Sequence, residues 1–557
     1  MKQTNKLIIA LLAAFVLLIS IPFLVPHTGF LALAAFVPLL CAERVASQTG
    51  VRHFFWWYFA AFALWNALTT WWVCEATVGG GIFAVVANAA QMALVFGVFR
   101  LSKKRLQGVL PYILLACLWT AWERWYMVSA EISWPWLTLG NAFARTTSLI
   151  QWYEVTGVLG GTLWIWASAL SIFGIMVALS DGTFARWNAK ARVILPALAA
   201  IVVLGPAIAS EIRYATYTEE SEGTLDVTLA QSNFDPYHKL KATSQRDQNA
   251  QVVDLFHHEL DSLYSLEGAG ESVRLLMLPE TFTSDIWMNW PQDSPTWKTF
   301  QGVLAEYPNV NLLFGASVYE LFNQRSKPSI LARPYGDSAW YESHNAAFLT
   351  DRTGRTDHCY KNKLVVGTEL TPYPKIFAPL DDKLGGLMGR CIGQGYVSTL
   401  DVVSRDSLGA ETGRIALGVP ICYESVYSEY CTGYVKAGAK ALAVITNDGW
   451  WGDTPGYRQH FSYSRIRAIE LRRDVARCAN TGISGFINQR GDVLRQSGWW
   501  VPDAISSRIN LSSRVTFFAQ HGDIAGSIAT LVAGLLLLLL CVQFLTSLGN
   551  DKKSKKK

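Results

Sequence analysis

Gly418-Val419-Pro420-Ile421-Cys422-Tyr423-Glu424 is the stretch whose reading decides the fold. The apolar run Ile415, Ala416, Leu417, Val419 and Ile421 has the composition of a buried strand, and it stops at a cysteine followed at once by polar residues. A strand that ends on a thiol holds the sulfur rigidly at the mouth of a pocket. An ordinary buried cysteine would look the same in isolation. Two other stretches point away from that plainer reading. Glu280 ends the apolar run Leu275-Leu276-Met277-Leu278-Pro279, and Lys361 sits in Tyr360-Lys361-Asn362-Lys363-Leu364. A carboxylate, an ammonium and a thiol, each at or near a strand end, supply a general base, an electrostatic clamp and a nucleophile.

Outward from these residues, a polar region spanning roughly 212–522 alternates strand and helix signals. Strands are expected at Leu225–Leu229, Arg274–Leu278, Val310–Phe314, Ala346–Leu349, Ile415–Ile421, Ala441–Ile445 and Gly485–Ile487. Helices are expected at Asn249–Leu266, Trp297–Tyr307, Tyr427–Ala437 and Phe461–Leu471. Apolar strands bounded by helices imply one α/β domain with covered sheet faces.

The remainder is of another kind. The 557 residues are 51% hydrophobic, 13% aromatic and only 16% charged, with 22 tryptophans, which is too apolar for a soluble enzyme alone. Apolar segments lie at roughly 7–25, 29–42, 54–73, 82–99, 109–127, 157–179, 193–209 and 524–548. Basic residues follow the even-numbered segments: Arg44 and Arg52, then Arg100, Lys103, Lys104 and Arg105, then Arg186, Lys190 and Arg192, then the lysine tail. Eight spans with both termini in the cytoplasm satisfy the positive-inside rule, and the polar region is then extracytoplasmic. The net charge of +5 is matched by the five lysines of the tail (Lys552, Lys553, Lys555, Lys556, Lys557), so no nucleic-acid footprint remains. Nine cysteines form no regular framework and no CxxC, which argues against a zinc or redox site; Cys359 and Cys391 are left as a pair that an oxidising compartment would permit. His257, His258 and His460 have no metal-ligand company in the sequence, so no metal is expected.

Glu280, Lys361 and Cys422, in that order on such a domain, resemble the nitrilase or carbon–nitrogen hydrolase superfamily over about 220–515. A wider resemblance, covering nearly the whole chain, is to the apolipoprotein N-acyltransferase family. It rests on Tyr360-Lys361-Asn362-Lys363-Leu364-Val365, on Glu369 eight residues after the lysine, and on Ile421-Cys422-Tyr423-Glu424. Thr446-Asn447-Asp448-Gly449-Trp450-Trp451-Gly452, Gln459-His460, Arg467-Ala468-Ile469-Glu470 and Asn480-Thr481-Gly482 extend it, as do Ser133-Trp134-Pro135-Trp136 and Gly140. The chain departs from the family pattern at Lys363, where His is usual, at Gly367-Thr368 before Glu369, and at Leu278, where Trp is common. Near Asp235-Pro236-Tyr237 the family's lipid-arm tryptophan has no match.

The resemblance implies an αββα sandwich joined to a polytopic helical domain of eight spans. The boundaries expected are 1–211 for seven spans, 212–522 for the catalytic domain, 523–548 for the eighth span and 549–557 for a basic cytoplasmic tail. It implies a two-step transfer of a fatty acyl chain from a phospholipid to the N-terminal amine of a diacylglyceryl-cysteine apolipoprotein, through a thioester on Cys422. Glu280 is then general base and acid, and Lys361 with the Tyr423 N–H stabilises the oxyanion. Glu369 compensates the lysine charge, and Glu424 is given a supporting place. Trp134, Trp136, Trp450, Trp451 and Phe461 are candidates for an apolar substrate approach. No cofactor is implied. The expected setting is the bacterial inner membrane, as a monomer with its catalytic domain on the periplasmic side. Two alternatives stand beside this reading: a membrane-tethered amidase or nitrilase that uses water, and a non-catalytic transporter or scaffold. Sparse intramembrane charge, clearest at Glu123 and Arg124, leaves a transport pathway little to work with.

Overall fold

The computed structural model describes residues 2–237, 243–264, 272–307, 309–406 and 408–554. The chain divides into two units: Met1–Ala130, Trp134–Tyr217 and His521–Lys557 form one, and Glu131–Ser133 with Thr218–Gln520 form the other.

The first unit is helical. Among the described residues, six of its helices are long and apolar enough to cross a membrane: Lys2–Leu24, Gly29–Thr49, Val78–Ser102, Tyr153–Ser180, Ala189–Thr216 and Ile524–Ser547. The third and fifth segments expected from sequence also form helices, Phe54–Thr70 of 17 residues and Leu110–Val128 of 19. At 1.5 Å per residue the shorter reaches only about 26 Å, and the longer carries Glu123 and Arg124, so neither joins the six. Glu123 is buried and satisfied, accepting from Trp119 Nε1, Thr162 Oγ1 and the Leu139 N–H at 2.6–3.0 Å. Aromatic packing fills the interior; Phe36, for example, packs tilted against Trp166 with centroids 4.2 Å apart. Of the basic tail, 555–557 lie outside the described residues.

The second unit carries two sheets. In chain order the strands of the first are β1 (Gly223–Gln231), β2 (Arg274–Met277), β3 (Thr283–Trp287), β4 (Val310–Phe322), β5 (Arg333–Tyr335), β6 (Ala339–Asp351) and β7 (Thr356–Tyr360). The second holds β8 (Thr399–Arg405), β9 (Glu411–Gly418), β10 (Ala441–Thr446), β11 (Val475–Ala479), β12 (Gly485–Ile487) and β13 (Val493–Gln496), and β14 (Asp503–Leu511) returns to the first beside β1. The first sheet runs β14-β1-β2-β4-β6-β5, with β3 on β4 and β7 on β6; the second runs β13-β12-β11-β10-β9-β8. β1, β2 and β4 are parallel neighbours, as are β9, β10 and β11.

Side-chain parity explains the packing. Leu276, Leu312, Phe314, Ala316, Val318, Ala346 and Phe348 face the helices Gln245–Tyr264 and Pro295–Glu306, which contribute Val252, Phe256, Leu260, Trp297, Phe300 and Leu304. Residues of opposite parity face the second sheet, and polar ones among them bridge it. Asn311 Nδ2 donates to Val403 O at 2.9 Å, and Cys478 Sγ lies 3.3 Å from Met277 O. Every strand expected from sequence is present, but several boundaries move; β6, for example, begins at Ala339 rather than 346. β4 runs on to Phe322, because the alternation of Ala316, Val318 and Glu320 continues past Gly315. β9 stops at Gly418 rather than 421, because Pro420 has no N–H to give a ladder.

Candidate active site

Cys422 opens a short 3₁₀ turn, Cys422–Val426, just beyond β9. Its φ of 51° places a non-glycine residue in the left-handed region, a conformation that persists only where the surroundings impose it. They do so here. The Cys422 carbonyl accepts from Ser425 Oγ at 2.7 Å and lies 3.2 Å from His460 Nε2. Ile421 forms a parallel bridge with Ile445 of β10. The thiol is buried; that burial and the Glu280 charge push its pKa well up, and Lys361 offsets them only in part. A resting thiol, not a thiolate, is the form this environment favours.

Lys361 follows β7 directly, and its N–H donates to Asn345 O at 2.8 Å. Its ammonium is fully buried, 2.9 Å from Glu280 Oε1 and 2.8 Å from Glu369 Oε2. Burial works against that charge, but Glu280, Glu369 and Cys422 outweigh it, so the lysine is held well above its ordinary pKa and stays protonated. Glu280 Oε2 accepts from the Asn447 N–H at 3.1 Å. Asn345 ties the two carboxylates together, donating to Glu280 Oε1 at 2.8 Å and to Glu369 Oε1 at 2.7 Å. Sequence reading missed Asn345. The available signal was a polar residue standing just before the apolar run Ala346-Ala347-Phe348-Leu349 of a buried strand.

Glu280 can sit there only because β4 has no side chain at Gly315. A Cβ at that position would lie 2.6 Å from Glu280 Cα and 2.7 Å from Pro279 O, both backbone atoms that cannot swing aside. Gly315→Ala is expected to lower stability by about 1–3 kcal/mol through overpacking. A denaturant midpoint equal to that of the parent protein would show that the approach is looser than this.

Glu424 does not lie on the surface. It is fully buried and accepts five hydrogen bonds: from the N–H groups of Ile421 (2.9 Å), Asn362 (2.7 Å) and Lys363 (3.3 Å), and from the hydroxyls of Tyr430 (2.8 Å) and Tyr434 (3.0 Å). Burial raises its pKa and these donors pull it partly back. One carboxylate thereby ties the cysteine turn to the loop that carries Lys361. Lys363, where the family pattern has His, places its ammonium over the rings of Tyr427 and Tyr430 at 5.0 and 5.7 Å. Tyr423 donates from its hydroxyl to Ser133 O at 3.1 Å.

Behind the cysteine turn lies a second buried cluster. Asp448 pairs with Arg477 Nη2 at 2.8 Å, and its other oxygen is 2.8 Å from His460 Nδ1. Burial and Arg477 depress the pKa of His460; Arg477 and His460 hold Asp448 down against its own burial. A histidine depressed in the fold binds its proton more readily when unfolded. Its contribution to stability is therefore complete above the unfolded value of about 6.5 and declines as pH falls below it. Between pH 6.5 and 5, stability should fall by up to roughly 1.4 kcal/mol per pH unit from this group alone. His460→Gln should flatten that slope in thermal melts taken across the range, and an unchanged slope would exclude the histidine as its source.

The aromatic candidates are dispersed. Trp450 is 39% exposed, with Tyr237 donating to its carbonyl at 2.9 Å, and Trp451 packs edge-on against His460. Phe461 is packed in the core with Tyr434, Val444 and Leu471. Trp136 is likewise fully buried in the helical unit, stacked on Trp134 with centroids 5.1 Å apart. Cys359 and Cys391 are both free thiols.

Comparison with known proteins gives a consistent picture. Residues 227–516 match the carbon–nitrogen hydrolase family model, and residues 13–171 match that of the apolipoprotein N-acyltransferase N-terminal domain. The chain is 29% identical over 526 residues to an apolipoprotein N-acyltransferase of Chlorobaculum tepidum, with 93% of each chain covered. It is 27% identical over 530 residues to one of Geobacter metallireducens, covering 93% of this chain and 92% of that one. Among solved structures, a Saccharomyces cerevisiae member of branch 10 of the nitrilase superfamily aligns with 14% identity and a TM-score of 0.37, over 53% of this chain and 93% of that one.

Proposed function

Since the chain belongs to the carbon–nitrogen hydrolase family, which its match over more than half its length shows, we propose that it is the enzyme that moves a fatty acyl chain from a phospholipid to the N-terminal amine of a diacylated apolipoprotein. Its two matched regions support this, as does the likeness to named N-acyltransferases along nearly the whole chain. The observation that carries the reading is a buried ammonium held between Glu280 and Glu369, in electrostatic reach of the Cys422 thiol.

In the first step Cys422 Sγ attacks the ester carbonyl and Glu280 takes the thiol proton. The thiol is not pre-ionised, so proton removal has to accompany attack, and base catalysis of this kind contributes roughly 10²–10⁴-fold. Lys361, with the Tyr423 N–H, faces the tetrahedral oxyanion; one such donor is worth about 3–4 kcal/mol. The C–O bond breaks, Glu280 returns its proton to the leaving alkoxide, and a lysophospholipid departs. In the second step the acceptor amine attacks the thioester and loses a proton to Glu280. The C–S bond then breaks, and the sulfur recovers the proton. Glu369 and Asn345 hold the lysine and the base in place and take no proton in either step. The fold proposed for this work is an αββα sandwich on eight spans. Both termini are cytoplasmic and the catalytic domain periplasmic, an orientation that the basic residues after even-numbered spans support.

The test uses purified full-length protein in detergent, a phospholipid labelled in its acyl chain and a synthetic diacylated lipopeptide. Label should appear in an amide on the lipopeptide. With lipopeptide omitted, the intact protein should gain the mass of one acyl group at Cys422. Label recovered only as free fatty acid would favour the hydrolase reading instead.

A further inference from the structure

Two of the longest strands end in an arrangement that the acyl-transfer chemistry does not use. β4 and β6 pair antiparallel, with Val318 opposite His344 and Glu320 opposite Glu342. Along the face that these residues share, Phe314, Ala316, Val318, Ala346 and Phe348 are apolar and covered by helices. The next positions along that face are His344, Glu320 and Glu342 in place of further apolar side chains. One ligand atom from each lies within 4.8 Å of the others.

Two features of this cluster need an explanation. Like charges directly opposite on paired strands are destabilising, and among the described residues neither Glu320 nor Glu342 has a lysine or arginine ion pair. His344 is 5% exposed, and its Nδ1–H donates to Ile392 O at 2.7 Å, while its ring stacks on Tyr360 with centroids 4.1 Å apart. Those contacts fix the ring and commit Nδ1 as the donor. Nε2 is left buried with no hydrogen-bond partner, facing Glu320 Oε2 at 3.9 Å. A histidine whose far nitrogen is tied to a backbone carbonyl, with its near nitrogen turned toward two carboxylates, is how proteins orient imidazole for a metal ion.

We propose that Glu320, Glu342 and His344 form a binding site for a divalent transition cation, with zinc or manganese as the chemical type. One imidazole and two carboxylates suit those ions by donor set, and they balance a +2 charge. Tetrahedral zinc at about 2.0–2.2 Å from each ligand sets ligand atoms roughly 3.3–3.5 Å apart, so closure from the present spacing takes under about 1 Å of movement. The side chain of Glu320 is 39% exposed, which leaves the ion a path from water and a position open to it. The sequence offered no hint of this site. Glu320 stands 22 positions before Glu342 and on another strand, and only the strand register brings it to Glu342 and His344. The ion would pin β4 to β6 one residue away from Asn345, the amide that joins Glu280 to Glu369.

The test is zinc binding by full-length protein in detergent, stripped with chelator and then titrated with zinc sulfate. It is read by equilibrium dialysis with elemental analysis and by melting temperature. Wild type should bind one equivalent that Glu342→Gln and Glu320→Gln each weaken by at least about tenfold. In chelator, Glu342→Gln should melt at or above wild type because the carboxylate repulsion is relieved, and zinc should raise only the wild-type melting temperature. Should one variant fail to fold, the other carries the same comparison. Equal zinc stoichiometry and affinity in wild type and both variants, or no binding by wild type, overturns the proposal. So would a wild-type melting temperature that does not respond to zinc, since the histidine and carboxylates would then be no more than an ion pair.

Discussion

Cys422→Ala is expected to leave the protein folded and inserted while acyl transfer falls by about 10⁴-fold or more, the scale seen when a covalent nucleophile is removed from a preorganised site. The fold should survive because the turn is held by groups other than the sulfur: Ser425 and His460 on the cysteine carbonyl, and Glu424 on the Ile421 N–H. Alanine at a φ of 51° costs about what cysteine does, since both carry a Cβ. Losing the sulfur removes one small buried group. Transfer and melting temperature measured on the same preparation check both halves. Transfer within tenfold of wild type would remove the thioester from the mechanism, whatever the stability.

Lys361→Met should damage catalysis and fold together. With the ammonium gone, Glu280 stays buried and Glu369 partly so, joined through the Asn345 amide with no cation between them. Removing one partner of a buried ion pair typically costs about 3–5 kcal/mol, because a buried charge is left uncompensated. Loss of the oxyanion donor adds about 3–4 kcal/mol to the barrier, near 10²–10³-fold in rate. The two effects separate by a second substitution. Glu369→Gln on the Lys361→Met background should restore part of the stability and none of the transfer. Stability unchanged in the single variant would show that water reaches the carboxylates.

Much of this was legible from local patterns. Seven strands and four helices of the α/β unit follow from apolar runs and their spacing; Glu280 and Cys422 stand out because each comes where such a run stops, and Lys361 stands out by its motif Tyr360-Lys361-Asn362-Lys363-Leu364. What could not be read depends on register. Asn345 reaches both glutamates only because β6 lies beside β4 and β7, and nothing around it in the chain says so. The edge strands β5, β7 and β13 are short or polar and carry no periodic signal. Phe461 and Trp136 were candidates for an apolar substrate approach by residue type alone, and both are packed in buried positions. The placement of Glu424 was equally hidden, since its partners Asn362 and Tyr434 come from separate loops and helices.

That last residue bears on how the protein can be handled. Glu424 is hydrogen-bonded by five uncharged donors in a buried setting, not paired with a cation at the surface. Added electrolyte screens exposed charges over about 10 Å at 0.1 M, but it has little hold on such a junction. Concentrated salt washes, used to strip peripheral proteins from membranes, should therefore leave the nucleophile and its lysine in register.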